Sequence, residues 1–117
     1  MNILFVAIGG ALGAVLRYLT TLAVAFPFGT FTVNVVGSFL MGVFLVLLAE
    51  RGLDRWVPLV MSGVLGGFTT FSAFSLDTIR LFEDGRIAEA GAYVVGTGLA
   101  CLAAVFVAVF LTRTLTA

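Results

Sequence analysis

A chain of 117 residues that is 62% hydrophobic, 10% charged and formally neutral, with a mean hydropathy of +1.23, is not an ordinary soluble domain but an integral membrane protein. About 20 apolar residues cross a bilayer, so residues 1–117 hold a single all-α transmembrane domain of four helices, with no room for an extramembrane catalytic domain.

The first span is expected from about Ile3 to Ala25. It starts at Ile3-Leu4-Phe5-Val6 without the basic start or small-residue cleavage site of a signal peptide, and is read as a retained helix. Phe26-Pro27-Phe28-Gly29 marks a tight connection, after which a second span runs from about Thr30 to Ala49. A charged loop, Glu50-Arg51-Gly52-Leu53-Asp54-Arg55, leads through the interfacial aromatic Trp56 into a third span of about Val57 to Phe82. Glu83-Asp84-Gly85-Arg86 makes the last turn, and a fourth span extends from about Ile87 to Leu111, leaving Arg113 in a brief tail.

Four crossings place both termini on one side with Arg51, Arg55 and Arg113, against Arg17, Arg80 and Arg86 on the other. With three arginines on each side the positive-inside rule selects no orientation, and the expectation is a chain that inserts both ways up. The alternative is that so few charges balance by chance and another feature fixes one topology.

Histidine is absent and the one cysteine, Cys101, lies in an apolar run. Neither a Ser-His nor a Cys-His nucleophile pair nor a disulfide framework is available, so an enzyme is not expected. There is no P-loop, dinucleotide fingerprint or basic tract, and no nucleic-acid partner is expected.

The chemistry concentrates in the third span, where Gly66-Gly67-Phe68-Thr69-Thr70-Phe71-Ser72-Ala73-Phe74-Ser75 packs two glycines, four hydroxyls and three phenylalanines together. Lipid offers no hydrogen bonds, so such a segment needs protein, water or ions as partners. A helix interrupted at Gly66-Gly67, at mid-membrane, would leave carbonyls without donors, and those of Gly66 and Thr69 are candidate ligands for a small bare cation. The plain alternative is that the glycines let another helix pack close and the hydroxyls bond back to their own helix.

Phe71 and Phe74, like Ser72 and Ser75, are three apart and share a face, and a small anion could rest against the electropositive ring edges while a hydroxyl or amide donates to it. Asn34 offers two further N–H donors, or serves as interhelical glue. Tyr93, Thr97 and Cys101 recur every four residues as a weakly polar stripe on the fourth span. Arg17 is the basic residue well inside a span and could draw anions into a vestibule, whereas Asp77 reads as a local salt bridge or a solvated helix end. One four-helix bundle cannot satisfy so many polar groups, and Gly9, Gly10, Gly13, Ala14, Gly37 and Gly42 permit close approach within or between chains, so a homodimer is expected. Subunits inserted in opposite senses would bring their interrupted segments together at the midplane.

Taken together, Gly9-Gly10 to Gly13-Ala14 with Arg17-Tyr18, Gly29-Thr30 with Asn34 and Gly37-Ser38-Phe39, and the segment Gly66 to Ser75 resemble the signature of the CrcB (Fluc) family of fluoride channels over all four spans. The resemblance implies an antiparallel dual-topology homodimer in a prokaryotic plasma membrane, two fluoride pathways, and a structural sodium ion at the dimer centre. By the same resemblance Gly66 and Thr69 hold the sodium through backbone carbonyls, Phe71 and Phe74 line the pathways with Asn34, and Ser72, Ser75, Tyr93 and Thr97 supply hydroxyls. Ala73 stands where a threonine is common, Cys101 where a serine would complete the stripe, and Asp77 where a glutamate is usual. Two rivals remain: a coupled exchanger of the small multidrug type, which needs an embedded carboxylate, and a non-transporting membrane assembly factor.

Overall fold

Four apolar helical spans make up nearly all of the computed structural model, which describes residues Met1–Ala117. Helix α1 covers Asn2–Ala23 and α2 Phe28–Glu50. The third span is composite: a 3-10 turn at Asp54–Trp56, a π-wound segment at Pro58–Leu65, a single turn α3 at Gly66–Phe68, and then α4 at Phe71–Glu83. Helix α5 closes the chain over Ile87–Thr116. It runs a full turn beyond the expected Leu111, so Arg113 is helical and not part of a tail, while α1 stops two residues short of the expected Ala25.

The charged loops end their helices by the same device. Gly52 (φ +65°) and Gly85 (φ +79°) take the left-handed conformation, and the residue after each returns to the helix it leaves: Leu53 N–H to the Leu48 carbonyl at 2.8 Å, Arg86 N–H to the Leu81 carbonyl at 2.9 Å. Glycine adopts that conformation without a Cβ penalty, which is why each loop carries one.

Packing is not sequential. Helix α1 lies chiefly against the π-wound segment and α3, while α2 lies chiefly against α5, which also receives α4. Small residues set the close approaches. A Cβ on Gly9 would stand 2.8 Å from the Val64 nitrogen, one on Gly13 2.8 Å from the Phe68 nitrogen, and one on Gly42 2.9 Å from the Ala108 Cβ. Most of these glycines therefore serve contacts inside one chain. Because the atoms facing Gly13 are backbone and cannot swing away, Gly13→Ala is expected to lower stability by about 1–3 kcal/mol, read as the thermal transition in detergent. Gly10→Ala on the same helix, where an added methyl meets nothing within 4 Å, should match the parent.

Only 19 of the 117 residues are buried, and large apolar side chains such as Leu99, Leu102, Phe106 and Phe110 project outward from α5. In water this would be untenable, and it is the surface that a multi-pass protein offers to lipid and to neighbouring helices.

Candidate functional site

The third span breaks at Thr69–Thr70, not at the glycine pair. Gly66 and Gly67 are helical, whereas Thr69 (φ −87°, ψ 154°) and Thr70 (φ −154°, ψ 122°) are extended. The glycines are instead a packing surface, since a Cβ on Gly67 would stand 3.0 Å from the Gly10 Cα. Thr70 then caps α4, its Oγ1 accepting from the Ala73 N–H at 3.2 Å, in the ordinary manner of an N-cap threonine.

Asn34 holds this break open. Its Oδ1 accepts from the Thr70 N–H at 2.8 Å and its Nδ2 donates to the Thr70 carbonyl at 3.0 Å, so one side chain on α2 substitutes for both helical partners that Thr70 gives up. The Thr70 N–H is thereby withdrawn from the Gly66 carbonyl, and the Thr69 carbonyl accepts no backbone hydrogen bond. These are the two carbonyls singled out for a cation. Free carbonyl oxygens are suitable ligands for a hard monovalent ion, so the donor set fits one. The Thr69 hydroxyl is engaged elsewhere, donating to the Leu65 carbonyl at 2.9 Å.

Around the break lies an open hollow of about 570 Å³ that brings together Asn34, Thr69, Phe71, Phe74 and Thr97, with Ser38, Thr70 and Cys101. The Phe71 and Phe74 rings meet edge to face at 5.5 Å between centroids, and Phe74 in turn lies 5.2 Å from the Tyr93 ring. Phe71 is 77% exposed, so its ring is presented outward and not packed into a core.

The remaining candidates are distributed elsewhere. Ser75 donates to the Phe71 carbonyl at 3.0 Å and faces a separate apolar hollow. Ser72, whose Oγ lies 3.2 Å from Thr70 Oγ1, shares a hollow of about 420 Å³ with Arg17, Tyr18 and Thr30. Arg17 is half-buried there and forms no salt bridge. Tyr93 and Thr97 are buried on α5 and line a cavity of about 260 Å³. The Thr97 Oγ1 is buried without any hydrogen-bond partner.

Asp77 corrects its sequence reading. It is neither solvated nor salt-bridged: it is 6% exposed and accepts a hydrogen bond from the Tyr93 hydroxyl at 3.2 Å. The available signal was its register, three residues past Phe74 on the face that α4 turns to α5. Thr70, too, was passed over as the pivot of the break, although a threonine ahead of Phe-Ser-Ala is a recognisable helix cap.

Comparison with known proteins gives a consistent result. The family model described as "CrcB-like protein, Camphor Resistance (CrcB)" matches residues 4–109. A protein of Cereibacter sphaeroides named "Fluoride-specific ion channel FluC" is 56% identical over 117 aligned residues, which cover 92% of this chain and 94% of that one. A "Fluoride-specific ion channel FluC 2" of Nitrobacter hamburgensis is 46% identical, covering 99% of this chain and all of that one. A "Fluoride-specific ion channel FluC" of Mesorhizobium japonicum is 42% identical over 97% of this chain and 98% of that one.

Proposed function

Because the chain belongs to the CrcB family, whose model spans nearly all of it, we propose that it is a fluoride-selective passive channel that lets the anion leave the cytoplasm across the plasma membrane of a prokaryote. The observation that carries this reading is the break at Thr69–Thr70, clamped by Asn34 and opening onto a hollow edged by Phe71, Phe74 and Thr97. A small, strongly hydrated anion gives up its water only where amide and hydroxyl donors and ring edges replace it, and this hollow gathers those groups.

The pathway so read runs past Asn34, Phe71, Phe74, Tyr93 and Thr97, with Ser72 and Ser75 on its margin and Arg17 in a vestibule. The functional unit is an antiparallel dual-topology homodimer with two such pathways. Support comes from the balanced arginines, and from the outward Phe71 and the exposed Gly66, which one subunit leaves largely uncovered. Carbonyls of Gly66 and Thr69 would hold a structural sodium ion between the subunits at mid-membrane, where the ion supplies a fixed positive charge that lowers the cost of admitting an anion.

The buried carboxylate of Asp77 favours one alternative, a coupled exchanger that binds protons or cations. Fluoride efflux from proteoliposomes containing only this protein separates the two. Rapid efflux that needs valinomycin to carry compensating potassium, and that does not extend to chloride, establishes an electrogenic fluoride channel. Efflux driven by a proton gradient without valinomycin establishes the exchanger, and no efflux from intact dimers removes both.

A further inference from the structure

The cavity of about 260 Å³ beside the main hollow is headed by an ion pair, Arg86 with Glu89, and floored by Tyr93 and Thr97. Thr97 lines both spaces and stands as the residue common to their walls. Glu89, Tyr93, Thr97 and Cys101 follow one another every four residues along α5, which aligns the ion pair with the polar stripe.

We propose that this cavity is an anion antechamber of the channel, in which Arg86 recruits the anion and Glu89 competes with it for the guanidinium. The proposal rests on the fluoride-channel reading and names the residues that set its apparent affinity.

Three features carry it. The Thr97 Oγ1 is an orphan in a chain where Thr20, Thr32, Thr78 and Thr114 all bond back to their own helix. A buried hydroxyl is costly to leave unpaired, and a χ1 rotation of Thr97 that turns its hydroxyl into the cavity would give its hydrogen to a guest there. Arg86 commits both Nε, at 2.8 Å, and Nη2 to the single Oε2 of Glu89, which leaves its other donors for a second acceptor. Finally, the pair joins residues three apart whose side chains are 42% and 58% exposed, so it ties no two elements together and opens at little cost. An incoming anion therefore meets a cation that is held loosely, by a neighbour of the anion's own sign.

The test is the initial rate of fluoride efflux from proteoliposomes against internal fluoride, at constant low ionic strength with valinomycin present. Arg86→Gln should raise the half-saturating concentration about threefold and Glu89→Gln lower it about threefold, with maximal rates within about twofold of the parent. Arg86→Lys, which keeps the charge, should stay near the parent, and both Gln shifts should collapse as salt shortens the screening length. A pair that merely braces the helix start would move both Gln variants in the same direction. That outcome, or a conducting parent whose variants do not shift, overturns the antechamber and leaves the channel standing. A parent that carries no fluoride removes the channel and the antechamber with it.

Discussion

Asn34→Ala is expected to reduce fluoride efflux about 100-fold and to lower stability by about 3 kcal/mol. Asn34 supplies both partners of the half-buried Thr70 peptide group, at 2.8 and 3.0 Å, within an apolar span. Each buried polar group left unpaired costs about 1–3 kcal/mol, and two are released here. The relaxation open to the chain is equally damaging, because a Thr70 N–H that swings back to the Gly66 carbonyl heals the break and closes the carbonyl set. Asn34→Asp has the same size and keeps the acceptor for the Thr70 N–H, but turns a second oxygen toward the Thr70 carbonyl. It should fall between parent and Asn34→Ala in stability while conducting no better than Asn34→Ala. Efflux from Asn34→Ala within threefold of the parent would show that the clamp is not needed for transport.

Removal of the Tyr93 hydroxyl should be nearly as costly. Tyr93→Phe leaves the 6%-exposed Asp77 without its one donor, and a loss of about 2–3 kcal/mol is expected in the thermal transition of the detergent-solubilised protein. Replacing both partners by apolar groups removes the unmet demand, so Asp77→Leu combined with Tyr93→Phe should be more stable than the sum of the single changes by at least about 1 kcal/mol. Simple additivity would mean that the pair is not coupled and that Asp77 finds other partners.

The spans were legible because their signal is bulk hydropathy, which no tertiary contact can rewrite; Pro27, Gly52 and Gly85 punctuated them for reasons of backbone geometry. The break was placed three residues early because glycine has two uses that look alike in a sequence. Gly66-Gly67 read as a helix breaker, but Gly67 lies under Gly10 of α1, and contact between distant segments decided between the two uses. Thr70 left the helix because Asn34, thirty-six positions earlier, offers it something better. Asp77 was misjudged for a related cause: its burial depends on Tyr93 arriving from α5, and nothing local to α4 announces that. What composition and spacing did convey was the inventory, since Asn34, Thr69, Phe71, Phe74 and Thr97 were all singled out and all border one hollow.

The exchange of partners among the helices, with α1 set on the third span and α2 on the fourth, has a bearing on how the protein is made. As the chain leaves the ribosome, the first two helices emerge as neighbours that have little to hold them together. The clamp at Asn34 cannot engage until Thr70 has been synthesised, and the long flank of α2 finds its mate only in the final thirty residues. Early helices must therefore wait, sheltered by lipid or by the insertion apparatus, and a nascent chain cut short before Ile87 would leave that flank without its mate.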